Sequence, residues 1–198
     1  MVQDAAAVIP LYYNDRVFLI KPNVAYEYPS IGGPRLMTWN TSGAAIPCYV
    51  RVSSLPGITY NDLQSAIDAA QPGDTLKVAG TCSAVHSRPA AEVTPSGVVT
   101  QVAYIAKSLV LQGGYTTTNW LSPNPVANPT TLDARALGRV FYITGAVEAT
   151  LGGFRITGGD ATGLGGVPWG WDAGGGVYAI SATVTLNDQV FADVGMSP

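Results

Sequence analysis

Short stretches in which apolar and polar residues alternate recur along most of the chain and predict β-strands. In "ATVTL", Val184 and Leu186 alternate with Thr183 and Thr185, and a period of two is typical of strands. Most such stretches end at Gly, Asn, Asp or Ser, which favour turns. The predicted strands are written "PCYVRVSS", "DTLKVAG", "VAYIAK", "SLVLQGG", "TTLDA", "RVFYITG", "ATLGGFRITGG", "GGVYAIS" and "ATVTLNDQVFADV".

One segment, at about residues 60–71, follows the period of a helix instead. Its apolar residues lie on one helical face, at Leu63, Ala66, Ile67 and Ala70. Asn61 or Asp62 can cap the N-terminus, and Pro72-Gly73 ends the segment. The pattern therefore predicts one short amphipathic helix in a chain of strands.

The strands resemble one another at an offset of about 35 residues. Thr150-Leu151 aligns with Thr185-Leu186, and "GRVFYITGAVEATL" aligns with "GGVYAISATVTL", with Val140 on Val177 and Ile143 on Ile180. Short strands repeated without helices between them predict a solenoid, because each unit buries its apolar face only by stacking on the next. The helix at residues 60–71 is then expected to cover the first open end.

Composition agrees with a strand-rich fold and excludes some partners. Only 12% of the residues are charged, while the chain has 23 Gly and 14 Pro, as expected for strands joined by turns. The net charge is -3 and no basic cluster exists, so nucleic-acid binding has no electrostatic basis. No apolar run approaches the ~20 residues that span a bilayer, so membrane insertion is not expected.

The longest motifs resemble a known family. "DLQSAIDAAQPGDTLKVAGTC" resembles the N-terminal cap and first coil of right-handed parallel β-helix proteins of the pectate-lyase-like type. "TTLDARALGRVFYITG", "LGGFRITGGDATG" and "GGGVYAISATVTLNDQVF" are similar to coils of bacterial surface and secreted β-helix proteins. The resemblance covers roughly residues 57–194. It implies an all-β fold, a short right-handed parallel β-helix with an N-terminal amphipathic capping helix. Residues 57–198 would be the capped beginning of such a β-helix, and residues 1–56 would form a separate strand and loop segment.

A second resemblance lies at the start of the chain. "VQDAAAVIPLYYNDRVFLIKPNV", within residues 1–24, looks like the last segment of extracellular peptide-binding proteins of ABC transporters. It contains a predicted strand, Arg16 to Ile20. The body of that family is missing here, so the resemblance implies a fusion or a gene fragment. The alternative is an extra strand that packs on the helix.

The two cysteines, Cys48 and Cys82, lack metal-ligand spacing. Two buried thiols are the simplest interpretation. A disulfide would fit an extracytoplasmic protein. A reactive thiol is the least favoured, because no base lies nearby in the sequence.

Two carboxylates, Asp160 and Asp172, flank the Gly-rich segment "GGDATGLGGVPWGWDAGGG" and are candidates to share a weakly bound calcium ion. Turn formation by aspartate is the competing interpretation. The family's lyases use carboxylates with an Arg or Lys base. The further residues considered for such chemistry are Asp133, Arg135 and Arg155, but no catalytic pattern of the family is matched. His86, the only histidine, would need an acid such as Glu92 to act as a base.

Four aromatic residues are candidates for ligand binding. Trp169 and Trp171 lie in one predicted loop, and Tyr115 and Trp120 lie in another. Exposed aromatic rings can stack on the apolar faces of sugars. Alternatively, the tryptophans fold back and anchor their loops.

The function expected from these observations is that of a non-catalytic module of a bacterial surface protein, extracellular or on the cell surface, used for adhesion, as a scaffold or for glycan contact. One alternative is a polysaccharide lyase or glycoside hydrolase. Another is an assembly unit that associates with itself through an uncapped solenoid end. No cofactor is expected apart from the weak calcium site.

Overall fold

Strands dominate the computed structural model, which describes residues 47–89, 97–166 and 171–192. A single short helix accompanies them in these ranges. In chain order the elements are β1 (Tyr49–Val52), α1 (Leu63–Ala69), β2 (Thr75–Ala79), β3 (Thr81–Cys82), β4 (His86–Pro89), β5 (Val98–Ile105), β6 (Leu109–Tyr115), β7 (Thr130–Asp133), β8 (Arg139–Thr144), β9 (Glu148–Gly152), β10 (Phe154–Thr157), β11 (Val177–Ile180), β12 (Thr183–Asn187) and β13 (Val190–Ala192).

These strands form three sheets. The first has the order β1-β2-β6-β9-β12, the second β13-β10-β7-β3 and the third β11-β8-β5-β4. Neighbouring strands run parallel except in the pairs β1–β2 and β4–β5, which are antiparallel. Two of the sheets are therefore mixed and one is parallel.

The predicted short right-handed parallel β-helix is wrong. The described strands form three mixed or parallel sheets that do not close, and they show no solenoid. The sequence repeat identified strands that are similar to one another, and these strands do pair in parallel, β8 with β11 and β9 with β12. It carries no information on how the sheets join, and it does not predict the antiparallel pairs made by β1 and β4.

Leucines in register connect four strands of the first sheet. Leu76 pairs with Leu111, Leu111 with Leu151, and Leu151 with Leu186. The predicted alignment of Thr150-Leu151 with Thr185-Leu186 is thus confirmed. The predicted alignments of Val140 with Val177 and of Ile143 with Ile180 are wrong by one residue, because Val177 pairs with Phe141 and Ile180 pairs with Thr144.

The predicted helix is present as α1, and its start is set by a local hydrogen bond. Asp62 is the N-cap, and its Oδ1 accepts a hydrogen bond from the Ser65 N–H at 2.8 Å. Leu63, Ala66 and Ile67 are buried in the main core, where α1 packs against β5, β1 and β2. With seven residues, this one helix of the described ranges falls far short of the length and apolar character needed to cross a membrane.

The two cysteines form a disulfide. Cys48, just before β1, is joined to Cys82 at the end of β3, and both side chains are buried. The interpretation as two buried thiols is therefore wrong, and the disulfide alternative is confirmed. The bond ties the segment that carries β1 to the first strands after α1.

Two predictions for the N-terminal part concern residues outside the described ranges. These are the strand from Arg16 to Ile20 and the resemblance carried by residues 1–24. Within the predicted segment 1–56, β1 pairs antiparallel with β2. The boundary at residue 56 stays a prediction.

Candidate functional site

The Gly-rich connection between β10 and β11 forms a loop that is held closed by Asp172. We call residues 160–173 the Trp171 loop; the structure describes 160–166 and 171–173 of it. Asp172 Oδ2 accepts a hydrogen bond from the Gly163 N–H at 2.8 Å, and Oδ1 accepts one from the Gly165 N–H at 2.7 Å. An isolated bridge joins Gly166 to Asp172. The two sides of the loop are thus fixed to each other.

Asp160 shapes the entrance of the same loop. Its Oδ1 accepts hydrogen bonds from the Thr162 hydroxyl at 2.6 Å and the Thr162 N–H at 2.8 Å. These two hydrogen bonds lower the pKa of Asp160 below its ordinary value. The Asp160 N–H donates to the Gly138 carbonyl at 2.8 Å, so this aspartate forms a local turn and links the loop to the start of β8.

A buried arginine, Arg139, donates hydrogen bonds to the backbone of the loop. The Arg139 side chain is fully buried, and its Nε and Nη2 donate to the Ala173 carbonyl at 3.1 and 3.0 Å. Nη2 also donates to the carbonyls of Leu164, at 3.2 Å, and Gly165. Burial lowers the pKa of the Arg139 guanidinium, which remains charged at neutral pH because its ordinary value is so high. One cation thus gathers carbonyl groups from both sides of the loop.

Three stacked tyrosines lie beside this arginine. Tyr104, Tyr142 and Tyr178 are in-register partners on β5, β8 and β11, and successive ring centres are 5.3 and 5.4 Å apart. The Arg139 guanidinium carbon is 4.7 Å from the centre of the Tyr178 ring. The Tyr178 hydroxyl donates to the Gly166 carbonyl at 2.9 Å. The loop therefore lies on a rigid aromatic and cationic base.

Trp171 is the aromatic residue that this loop presents to solvent. Its side chain is 69% exposed, although the residue that follows it, Asp172, is hydrogen-bonded on both oxygens. Trp169, the other aromatic predicted for this loop, lies outside the described residues. A large exposed ring on a constrained backbone loses little conformational entropy when it binds.

Tyr115 and Trp120, by contrast, are enclosed. Only 7% and 9% of these residues are exposed, and their rings stack with centres 6.0 Å apart. Arg51 lies over the Trp120 ring at 4.7 Å, and Lys77 lies over the Tyr115 ring at 5.3 Å. Lys77 Nζ also donates to the Trp120 carbonyl at 2.6 Å. This geometry anchors the loop after β6 and leaves neither ring a free face for a ligand; their assignment as ligand-binding residues stays a prediction that the packing disfavours.

Asp160 and Asp172 belong to one loop, as the sequence suggested, but both oxygens of Asp172 and Oδ1 of Asp160 already accept hydrogen bonds. In the part of the chain that the structure describes, no group of three or more His, Cys, Asp or Glu side chains is placed to hold a metal ion. Calcium at this pair therefore stays a prediction, and turn formation accounts for both residues.

The remaining candidates for catalysis do not converge on one another. Asp133 Oδ1 accepts from the Arg135 N–H at 2.8 Å, and Arg135 donates to the Ser83 hydroxyl at 2.6 Å. Arg155 is exposed on β10. His86 hydrogen-bonds through Nε2 to Asp62 Oδ2 at 2.9 Å, whereas Glu92 lies outside the described residues. The pairing with Asp62 was missed because that residue was assigned only as a helix cap.

Sequence reasoning also missed Arg139 and the tyrosine stack. The signal was present, since Tyr104, Tyr142 and Tyr178 recur at nearly equal spacing. Comparison of the chain with protein families, with curated proteins and with solved structures finds no match. The described residues thus form a mostly β, disulfide-bonded structure in which the Trp171 loop exposes an aromatic ring.

Proposed function

We propose that the chain is a non-catalytic extracytoplasmic module that contacts glycans through the Trp171 loop. The observation that carries this proposal is the 69% exposure of Trp171 on a loop held by Asp172 and Arg139. An exposed indole that is held in place is a ready stacking surface for the apolar face of a sugar ring. Adhesion or attachment of a larger protein to a polysaccharide surface would follow from such contacts.

The hydrogen bonds that Asp172 and Arg139 make within the described part of the loop support a binding role more than an accidental exposure. Arg139 is buried at the cost of its hydration, and hydrogen bonds from Nε and Nη2 to loop carbonyls offset part of this cost, while Nη1 is buried without a partner. A loop that needed only to connect β10 to β11 would not require a buried cation. The desolvation cost of burying this cation has a reason if the loop must be held in its binding conformation before the ligand binds.

The extracytoplasmic location is supported by the disulfide between Cys48 and Cys82. Disulfides of this structural kind form and persist in oxidising compartments and are rare in reducing ones. The bond is buried, which suits a permanent structural role.

A lyase or hydrolase finds less support. A glycoside hydrolase needs two carboxyl groups that flank one bond of the substrate, and the lyases considered above need carboxylates beside an Arg or Lys base. Among the described residues, Asp133, Asp160 and Asp172 each accept hydrogen bonds within their own turns. We therefore favour binding over catalysis.

The test is binding of the purified chain to immobilised polysaccharides, scored by retention in affinity gels and on a glycan array. Wild type and Trp171→Phe should bind, whereas Trp171→Ala should lose most of the retention. The matched control is Leu137→Ala, which shortens another exposed apolar side chain and should leave binding unchanged. Wild type that binds no glycan, or a Trp171→Ala variant that binds equally well, would contradict the proposal.

A further inference from the structure

The last three strands, β11, β12 and β13, each form an outer strand of one of the three sheets. Two large apolar residues of β12 and β13 are exposed where their in-register partners are buried. Leu186 is 44% exposed and pairs with the fully buried Leu151; Phe191 is 45% exposed and pairs with the fully buried Ile156. Along these strands, the described structure therefore exposes apolar side chains at positions whose partners on the neighbouring strands are in the core.

These edge strands lack the features that keep an edge from pairing. Natural edges are protected by charged residues, proline or bulges. The strands β11, β12 and β13 read "VYAI", "TVTLN" and "VFA" and contain no charge and no proline. The outer strands at the other margin differ: β1 carries Arg51, and β4 carries Arg88 and Pro89. The third outer strand at that margin, β3, has no charge and no proline but is only two residues long, and very short edge strands are also protected from pairing.

We propose that β12 is a dimer interface, at which it pairs antiparallel with β12 of a second copy of this chain about a two-fold axis. Absence of charge on β12 means that identical strands meet without repulsion. The other margin is a poor partner, since α1 packs against β1 and β2 there. A contact between two like edges is also self-limiting, because it closes on two subunits.

The hydrogen bonds of β12 define the register of this pairing. The Thr183 N–H donates to the Val147 carbonyl, and the Asn187 carbonyl accepts from the Gly153 N–H, both at 2.9 Å. Because polar backbone groups alternate in direction along a strand, those of Val184 and Leu186 point away from β9. Pairing centred on Thr185 lets Val184 of each copy exchange hydrogen bonds with Leu186 of the other.

The same register keeps the two faces of the strand consistent. Val184 and Leu186 lie on the face that continues the buried Ala149 and Leu151 of β9. In the dimer, Val184 of one copy faces Leu186 of the other, and Thr185 faces Thr185. A shift by one residue would place apolar side chains against polar ones. The inference is independent of glycan binding at Trp171.

Cysteine cross-linking tests the interface and its register together. In an antiparallel pair centred on Thr185, the two residues 185 form a non-hydrogen-bonded pair with Cα atoms about 4.5 Å apart, close enough for a disulfide. Thr185→Cys should therefore cross-link into a dimer on mild oxidation, seen on a non-reducing gel. The native cysteines do not interfere, since both are in the disulfide.

Thr183→Cys is the matched control on the same face of the same strand. Its two copies would lie roughly 14 Å apart at about 3.4 Å per residue, so it should stay monomeric on the gel. The double variant Thr183→Cys/Asn187→Cys should cross-link again. Cross-linking of the single variant Thr183→Cys would indicate parallel pairing or an antiparallel pair with a different centre, and either would overturn the proposed register.

Light scattering on size-exclusion fractions at several concentrations tests the dimer without cysteines. Wild type should approach twice the chain mass, and Leu186→Lys should weaken the dimer by about tenfold or more. Leu137→Lys, at another exposed position, should behave as wild type, and circular dichroism should show that all variants are folded. A monomer at every concentration, without cross-linking of Thr185→Cys, or a series of ever larger species, would overturn the proposal. Trp171→Ala should still dimerise, which separates this inference from the proposed glycan contact.

Discussion

Leu151 and Leu186 are in-register partners on β9 and β12, yet Leu151 is fully buried and Leu186 is 44% exposed. The two positions have the same residue type, the same strand geometry and the same face of the sheet. The difference is that β9 has a neighbouring strand on each side, β6 and β12, whereas among the described residues β12 has a neighbour only on the side of β9. It makes these two leucines a matched pair for measuring what burial contributes.

Leu151→Ala should lower the free energy of unfolding by roughly 2–5 kcal/mol, the usual cost of a large-to-small change in a packed core. Leu186→Ala should cost clearly less, because its side chain is already half in water. Urea unfolding followed by circular dichroism, at a protein concentration low enough to avoid association, measures both. Equal losses for the two variants would mean that Leu186 is as well packed as Leu151 in solution.

Arg139→Met should loosen the Trp171 loop as well as destabilise the fold. The carbonyls of Leu164, Gly165 and Ala173 would lose their donor, at a cost of roughly 3 kcal/mol. Limited proteolysis should then cut the loop faster, and the urea midpoint should fall. Arg139→Lys is the control that keeps the charge; it should recover only part of the loss because an ammonium cannot reproduce the planar fork. Unchanged proteolysis of the loop in Arg139→Met would contradict the assigned role.

Asp74 should make the stability of the protein depend on pH in the acid range. Burial raises the pKa of this carboxyl, but hydrogen bonds from the side chains of Ser54 and Ser53 and from the N–H groups of Gln71 and Ser54 outweigh burial and lower it. The Ser54 and Ser53 hydroxyl oxygens lie 2.5 and 2.7 Å from the carboxylate. Because the pKa is lowered in the folded state, the ionised carboxylate stabilises the fold, and this contribution is fully present at pH values above the ordinary pKa of 3.8.

That contribution should be lost as the pH falls from the ordinary value through the lower value of the folded state. Wild type should therefore lose stability in this window, and Asp74→Asn should lose less there while being less stable at neutral pH. Urea midpoints measured at pH 7 and at several values below 4 give the comparison. A parallel pH profile for the two proteins would show that Asp74 does not carry the effect.

The disulfide should contribute substantially to stability. It closes a loop across a sequence separation of 34 residues, which is worth roughly 3–4 kcal/mol in the chain-entropy description. Reduction under mild denaturing conditions should therefore lower the thermal midpoint, measured by calorimetry. Cys48→Ala/Cys82→Ala should be destabilised to a similar extent and should no longer respond to the reductant, which separates loss of the bond from other effects of reduction.

The elements were predictable where their signals are local. The start of α1 follows from Asp62 and the apolar spacing after it, and most strands follow from alternation bounded by turn residues. Register was predictable only in part. The pairing of Leu151 with Leu186 was predicted correctly, but Val140 was misaligned, because β8 is buried along nearly its whole length and so lacks the alternation that would identify its faces.

The candidate site shows the same division. The sequence marked the Gly-rich loop and its aromatic residues, but Trp171 and Trp120 read alike as tryptophans in loops. Trp120 is enclosed because Arg51 lies over its ring and Tyr115 stacks on it, and Arg51 comes from a strand far earlier in the chain. Exposure is a property of such distant contacts, which no short stretch of sequence contains.

The sequence by itself determined a chain of short strands, one amphipathic helix and a loop rich in glycine and aromatic residues, since these depend on neighbours a few positions away. Only the tertiary structure decided that the sheets stay open, that Cys48 and Cys82 are bonded, and that Arg139 supports the loop. It also decided that Leu186 is left exposed at an edge. These outcomes depend on which strands lie side by side, and that is set by the packing of the whole chain.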